Sequence, residues 1–399
     1  MSVLNGKHIL LGVTGGIAAY KSAFLVRLLV KSGAEVKVVM TPYAEEFVTP
    51  LTLSTLSKNP VYSSFTDKEK NWNNHVEIGE WADLMLIAPA TANTLSKMVH
   101  GKSDNLLLTT YLSAKCPVFV APAMDLDMYK HNSTQENLSS LSESNHHIIE
   151  PASGELASGL EGKGRMQEPE QIVKIIENYF AVKLPLNNKK VMITAGPTYE
   201  AIDPVRFIGN YSSGKMGFEL AKNALHLGAE VILITGPTHL ELAHSNLNLI
   251  RVRSADEMSK EAFKYFSEVD IAIGSAAVSD YKPKFISDKK IKKTTETLTL
   301  ELVKNPDILK SLGGQKESQI LVGFALETNN EEENARRKLY DKNLDFIVLN
   351  SLNDKGAGFK TDTNKISIIT NKEIIRFDVK PKAEVAKDIF NTILEKNDL

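Results

Sequence analysis

The 399-residue sequence has a single cysteine, Cys116, which excludes an intrachain disulfide and any site built from several thiolates. Cys116 starts the apolar run CPVFVAP, so its expected state is a buried structural thiol. Neither sign of charge is in excess. The 47 Lys and Arg face 49 Asp and Glu, a net charge of −2. That balance gives no overall attraction to nucleic acid or anionic membrane, although a local basic patch is compatible with it. Long hydrophobic runs are missing too. Runs such as LMLIAPA fall far short of the roughly 18 residues of a membrane span. The opening MSVLNGKHILLGVTGG lacks a basic region followed by an apolar stretch and a cleavage site, so a soluble cytoplasmic protein is expected. The remainder, 42% apolar and 24% charged, is ordinary globular composition, and the length suits two or three domains.

Periodicity arranges these residues into short apolar runs alternating with amphipathic stretches. HILLGV (8–13) reads as a strand. TGGIAAYKSAFLVRLLVKSG has apolar residues three and four apart, a helix ending at Gly33, and AEVKVVM is the next strand. Strands are further expected at 84–88, 118–121 and 147–150, and helices at 91–100, 104–114, 132–142 and 169–180. The pattern restarts at Val191 with strand VMITAG, helix GKMGFELAKNALHLG and strand AEVILITG. Gly33-Ala34-Glu35-Val36 is answered by Gly228-Ala229-Glu230-Val231. Two similar βαβ openings imply an α/β protein with two open, mostly parallel sheets. The polar, proline-bearing segment 184–190 is the expected boundary, giving domains 1–183 and 190–399 joined by a linker, 184–189. The second half continues with strands near 271–274, 320–324 and 346–349 and helices near 255–266, 307–312 and 331–342. A hairpin turning at Asn371-Lys372 and a closing helix, 383–395, complete it. Ligands of such sheets sit at the C-terminal strand ends, so each half carries one expected nucleotide-like site.

In the first half, Thr14-Gly15-Gly16-Ile17 joins strand to helix. The glycines allow a phosphate to approach the backbone, and the Thr14 hydroxyl adds a donor; tight turns want glycine for their own reasons as well. Ala90, Thr91 and Asn93 lie at another strand end in a loop of small and hydroxylated residues, suited to a planar cofactor. Thr41 ends a strand on the same edge, and Asp104-Asn105 opens a helix.

The stretches 14–21 (TGGIAAYK), Asn74-His75, 89–94 (PATANT), 101–105 (GKSDN) and 122–128 (PAMDLDM) resemble the flavin-dependent cysteine decarboxylases. The second half resembles phosphopantothenate–cysteine ligase, and the whole chain resembles the bacterial bifunctional enzymes of coenzyme A synthesis. The resemblance implies a flavodoxin-like domain followed by a Rossmann-like domain. It implies FMN, which oxidises the cysteinyl side chain of 4'-phosphopantothenoylcysteine so that its carboxylate leaves as CO2. By resemblance His75 is the catalytic base, and Met124 and Met128 border flavin and substrate. Two positions depart from the family pattern. Asp125 stands where Asn is usual, and Ser158, in Gly154-Glu-Leu-Ala-Ser-Gly159, stands where the reducing-step Cys is usual. A protonated Asp125 could donate as the Asn amide does and supply the proton that a serine hydroxyl, a far weaker acid than a thiol, cannot; water held under the lid is the alternative proton source. Gly159, Gly162, Gly164 and Arg165 keep a mobile lid plausible over this site.

In the second half, residues 194–217 read as one long loop entering a helix, with Ser213, Gly214 and Lys215 facing phosphates; neither a P-loop nor a dinucleotide fingerprint fits. Gly274-Ser275-Ala276 is a small-residue strand end suited to a flat base, and Asp280 could hold a metal, the base or a ribose. Lys289–Lys293 places four lysines in five residues, where alternation around Ile291 turns some toward a polyanion. By resemblance Asn210 handles an acyl-nucleotide, and Lys290, Lys292 and Lys293 handle nucleotide phosphates. Pro306, Asp307, Ile308, Leu309, Phe324, Lys338 and Lys342 match nucleotide positions. The implied reaction is attack of 4'-phosphopantothenate on CTP to give an acyl-cytidylate, with Mg2+ spreading the charge, then displacement of CMP by the cysteine amine. The resemblance also implies a homo-oligomer, a dodecamer built from trimers and dimers. Two rivals are a ligase whose first half is only a flavin-binding scaffold, and a nucleotide sensor without catalysis.

Overall fold

A computed structural model describes residues 2–67, 69–292, 296–327, 329–351 and 362–397. The chain divides into two compact units, Met1–Ala181 and Val182–Leu399. The expected linker segment is not free of the second: Leu186 is fully buried in that unit's core. Leu184 and Leu186 are the only large apolar side chains in an otherwise polar stretch, and Leu186 is the one that turns inward.

The first unit runs β1 (His8–Val13), α1 (Lys21–Lys31), β2 (Glu35–Met40), α2 (Pro50–Ser57), β3 (Val61–Tyr62), α3 (His75–Glu80), β4 (Leu84–Ala90), α4 (Ala92–Val99), α5 (Leu106–Ser113), β5 (Val118–Pro122), α6 (Leu126–Lys130), α7 (Asn132–Glu143), β6 (His147–Ile148), β7 (Ala152–Glu155), β8 (Glu161–Arg165) and α8 (Pro169–Val182). Six strands form one sheet in the order β3-β2-β1-β4-β5-β6, all pairs parallel. The central strands are apolar on both faces, as a sheet covered by helices on both sides requires. Three consecutive residues of β1 illustrate the division: Ile9 and Leu11 pack with Leu25 and Leu29 on one face, and Leu10 packs with Ile87 and Leu107 on the other. Each fully buried leucine contributes about 1.5–3 kcal/mol of transfer free energy.

The second unit runs β9 (Lys190–Ala195), β10 (Tyr199–Ala201), β11 (Phe207–Gly209), α9 (Lys215–His226), β12 (Glu230–Thr235), β13 (Leu247–Arg251), α10 (Ala255–Phe266), β14 (Ile271–Gly274), β15 (Tyr281–Pro283), β16 (Leu302–Lys304), α11 (Ile308–Gln315), β17 (Ile320–Glu327), α12 (Glu331–Asp341), β18 (Phe346–Ser351), β19 (Thr363–Asn364), β20 (Ile366–Ile369), β21 (Ile374–Arg376), β22 (Lys380–Pro381) and α13 (Lys382–Asn397). Its sheet order is β13-β12-β9-β14-β17-β18-β20-β21. The last two strands are the antiparallel hairpin expected around Asn371.

Several sequence expectations are corrected. The helix after β1 begins as a 3-10 turn, Ile17–Tyr20, and becomes α-helical only at Lys21. The segment 194–217 is not one long loop; it contains the β10–β11 hairpin, with Tyr199 and Phe207 stacked at 3.8 Å between ring centres. Strands this short carry too few residues for an alternation to show. Cys116 is half-buried rather than buried, and burial raises its thiol pKa.

Candidate functional site

In the first unit the site is built where β1 and β4 end side by side. Thr14, only 1% exposed, donates from Oγ1 to the Pro89 carbonyl (2.7 Å) and accepts from the Thr91 N–H (3.1 Å). The hydroxyl expected to reach a phosphate instead ties the two loops together. Thr91 then caps α4. At Gly15 a Cβ would stand 2.6 Å from the Tyr43 ring and 2.9 Å from its carbonyl carbon. The glycine is therefore required by the loop after β2, whatever binds nearby.

Beside these loops lies a cavity of about 450 Å3 whose wall includes Gly16, Ile17, Thr91, Met124, Asp125 and Met128. The volume, the apolar side chains and the backbone turn at 16–18 fit a flat, partly apolar ring system with a phosphate. Asp125 caps α6: its Oδ1 accepts the Leu126 N–H at 2.6 Å. Asn caps equally well, so the Asn-to-Asp departure leaves the local fold intact.

The far wall is the β7–β8 hairpin, which supplies Leu156, Ala157 and Arg165. Its stem is fastened at two points. The Met124 N–H donates to the Gly164 carbonyl at 3.0 Å, and at Gly164 a Cβ would meet the Met124 oxygen at 2.5 Å. Lys21, 4% exposed, donates from Nζ to the Met166 carbonyl and to Glu168, both at 3.0 Å. Arg165 shares the same carboxylate at 3.1 Å. The tip, residues 156–160, carries Ser158 exposed and off the cavity wall. Its hydroxyl accepts from the Leu160 N–H at 3.4 Å. His75 begins α3 behind the Asn74 cap, with its Nδ1 buried and without a hydrogen-bond partner, and its ring edge-on to Trp72. Neither His75 nor Ser158 is brought to the cavity within this unit.

Of the other sequence candidates, Ala90 and Thr41 are buried at strand ends and Asn93 is exposed on α4. Asp104 pairs with Lys97, and Asn105 caps α5 through the Leu108 N–H. Sequence reasoning left Lys21 and Glu168 without a role. The only hint was a lysine opening an otherwise apolar helix face.

In the second unit a cavity of about 460 Å3 opens at the end of β14 and beside the middle of β17, with Gly274, Ala276, Asp280, Asp307, Phe324 and Lys342 on its wall. Pro306, Ile308 and Leu309 complete one side. Asp307 caps α11 through the Lys310 N–H and pairs with Lys342 at 2.9 Å. Burial pushes the Asp307 pKa up, but Lys342 and that N–H outweigh it, and the net shift is downward. A smaller cavity, about 150 Å3, shares Ala276 and Phe324 with the first. Ser275 faces this second space, together with Ser212, Lys215, Asn350 and Lys382. Lys382 is 7% exposed; burial first, then Lys215, lower its pKa. Lys215 itself pairs with Asp362 at 2.6 Å.

Asn210 donates from Nδ2 to the Ala277 and Val278 carbonyls (3.1 and 3.2 Å), which holds the β11 end against the β14 end. Lys338 is not brought to either cavity. It lies one turn before Lys342 and pairs with Glu327 at 2.6 Å. Lys290 and Lys292 are exposed, on a segment that is not a strand, and Lys293 lies outside the described residues. No group of three or more His, Cys, Asp or Glu among the described residues could hold a metal. Asp280 offers a single exposed carboxylate, which suits a Mg2+ only when substrate phosphates complete its shell.

Comparison with known proteins agrees with this two-part construction. Residues 2–181 match the Flavoprotein family, and residues 186–396 match the DNA/pantothenate metabolism flavoprotein C-terminal domain. The coenzyme A biosynthesis bifunctional protein CoaBC of Bacillus subtilis is 49% identical over 370 residues, 92% of this chain and 91% of the relative. That of Vibrio cholerae is 46% identical over 400 residues, 99% of this chain and 100% of the relative. A cysteine/cysteine sulfinic acid decarboxylase from an unknown prokaryotic organism is 56% identical over 354 residues, 87% of this chain and 99% of the relative. The chain belongs to the family of bifunctional coenzyme A biosynthesis enzymes, with a flavoprotein decarboxylase unit followed by a ligase unit.

Proposed function

We propose that the second unit joins 4'-phosphopantothenate to cysteine at the expense of CTP, and that the first unit decarboxylates the resulting 4'-phosphopantothenoylcysteine to 4'-phosphopantetheine. The observation that supports the ligase most directly is the pair of cavities meeting at Ala276 and Phe324. Two spaces with one shared wall suit a nucleotide and an acyl substrate whose carboxylate must meet the α-phosphorus. Lys342, Asp307, Pro306 and Leu309 hold the nucleotide in the larger space. Asn210 stands at the β14 end, where the acyl-cytidylate forms. Lys290, with Lys292 and Lys293, offsets phosphate charge as it develops. Mg2+, held in part by Asp280, supplies further charge neutralisation when bound.

In the first unit Gly16, Ile17, Thr91 and Met124 hold FMN. The flavin, when bound, supplies an electron sink for oxidation of the cysteinyl side chain. Arg165 and the hairpin close the cavity against water, Asp125 stands at its wall, and His75, reaching the cavity from a second copy of the chain, takes the proton. That copy belongs to a homo-oligomer, assembled as a dodecamer. The protein works in the cytoplasm on small molecules; no described helix is long and apolar enough to cross a membrane.

A second reading has its own support. The 56% identical relative is named for cysteine and cysteine sulfinic acid, and this chain has Ser158 in place of the family's cysteine. On that reading the first unit decarboxylates a small cysteine derivative. Mass spectrometry decides between them. Purified protein given 4'-phosphopantothenate, cysteine, CTP and Mg2+ yields CMP, pyrophosphate, CO2 and 4'-phosphopantetheine on the first reading. Ligation without CO2, together with CO2 from cysteine sulfinic acid alone, would establish the second. Accumulation of the oxidised enethiol in Asp125→Asn, with full reduction in wild type, would give Asp125 the proton-donating role that Ser158 lacks.

A further inference from the structure

The lysine segment 289–292 belongs to no helix or strand, yet one of its residues is gripped from both sides. The Ile291 N–H donates to Asp203 Oδ2 at 3.1 Å, and the Ile291 carbonyl accepts from Arg206 Nη2 at 2.9 Å. Asp203 and Arg206 are themselves one unit. Oδ1 of Asp203 accepts the Val205 and Arg206 N–H groups, both at 2.8 Å, and Oδ2 accepts Nε (2.9 Å) and Nη2 (2.5 Å) of Arg206. The Asp203 side chain is 0% exposed. A second backbone tie, Ser287 N–H to the Ile202 carbonyl at 3.0 Å, lies just upstream. The turn of the β10–β11 hairpin thus captures both hydrogen-bonding groups of Ile291, as a paired strand would.

We propose that Asp203, acting through Arg206, is the positioning residue that holds the phosphate-handling lysines, Lys290 and Lys292, in register for ligation. The proposal rests on the ligase reading above for the task of those lysines, but its structural part does not. Lys290 and Lys292 are exposed and flank Ile291, which the hairpin pins at both its N–H and its carbonyl, whereas Lys289 is tied only locally, to the Ser287 hydroxyl. A long flexible lysine side chain can serve a transition state only if its backbone is already placed. The acid is needed, not merely a polar group. Five N–H donors converge on this carboxylate, and an Asn would turn its own NH2 toward donors of Arg206 or Ile291.

The test uses the full chain with Asp203→Asn, Lys290→Gln and the double variant. Asp203→Asn and Lys290→Gln each lower the ligation kcat at least tenfold. The double variant falls no further than Lys290→Gln alone, within twofold, because a mispositioned lysine and an absent lysine are the same defect. Two losses that multiply would mean that Asp203 merely maintains the unit's fold, and would overturn the proposal. Limited trypsin digestion is the second arm and needs no activity. Asp203→Asn speeds cleavage after Lys289, Lys290 and Lys292 at least tenfold, with sites in the first unit unchanged; unchanged cleavage in the lysine segment would overturn the proposal. Wild-type protein that fails to ligate would defeat the ligase reading while leaving the digestion arm to decide whether Asp203 holds the segment. Arg206→Lys, which keeps the charge but shortens the reach to the Ile291 carbonyl, gives the same pattern with smaller factors.

Discussion

The two units open alike and diverge within a few residues. After each first helix, the glycine of a Gly-Ala-Glu-Val sequence takes positive φ, +87° at Gly33 and +94° at Gly228. The following alanine N–H closes on the helix: Ala34 to Leu29 O at 3.1 Å, and Ala229 to Ala224 O at 3.0 Å. This is the same left-handed termination twice, and it aims the next strand back along the first. Between strand and helix, however, the first unit spends only residues 14–16, whereas the second inserts 196–214 with a hairpin inside. The short link draws backbone close and leaves an apolar-walled cavity beside it. The long link supplies Asp203, Arg206 and Asn210, which organise a lysine segment and a strand end. One scaffold thus presents an apolar-walled cavity or an organised lysine segment according to what its first crossover carries.

Changing the charge of the second unit's site, by removing a cation at Lys290 or adding an anion at Asn210, tests this contrast most severely. Lys290→Gln and Asn210→Asp should each cut ligation on the order of 100-fold, with the first unit's flavin content unchanged. Product formation and the flavin absorbance spectrum measure both effects. Equal turnover in the variants would place the ligase chemistry elsewhere.

The first unit's close approach is broken at Gly15. Gly15→Val drives two methyls toward Tyr43, costing about 1–3 kcal/mol in overpacking and releasing the flavin. Thermal melting should fall together with yellow colour. A stable, colourless variant would instead show that the glycine serves only the ligand.

A smaller effect separates the hairpin's anchor from its tip. Lys21→Met leaves Glu168 with Arg165 as its remaining partner. Because that carboxylate is partly exposed, the loss should be about 1–2 kcal/mol in urea unfolding rather than the cost of a fully buried pair. Proteolysis at residues 156–160 should accelerate, while Ser158→Ala leaves stability unchanged.

The smallest effect is one of pH. Arg206 and the surrounding N–H groups hold the Asp203 carboxyl well below the usual carboxylate range. A carboxyl whose folded pKa is depressed contributes its stability in full above the unfolded value of about 3.9 and loses it progressively below. Acid unfolding of wild type followed below about pH 4 should therefore be steeper than that of Asp203→Asn. Parallel curves would argue that Asp203 is not ionised in the folded unit.

The 255–266 helix is legible because it buries one face of a regular amphipathic period, the 271–274 strand because it is a continuous apolar run between polar flanks, and the hairpin turn at 371–372 because of its flanking β-branched runs. Short pieces such as α3, with His75 at its start, and the β7–β8 hairpin have too few residues to show a period. Among site residues, Gly274 and Ala276 at the end of β14, the α11 cap Asp307 and Phe324 in mid-β17 do converge on one cavity. Lys338 does not, since reach and an ion-pair partner decide where a lysine ends.

The sequence alone determined two doubly wound units, their repeated opening and the strand ends that border the two cavities, because hydrophobic period and strand-end glycine are local properties. Only the tertiary structure decided which polar groups are spent on the fold. Thr14 ties two loops, Lys21 fastens a hairpin, and Asp203 with Arg206 holds Ile291. Such partners lie tens to more than a hundred positions away along the chain, and a buried polar group must find one wherever packing places it.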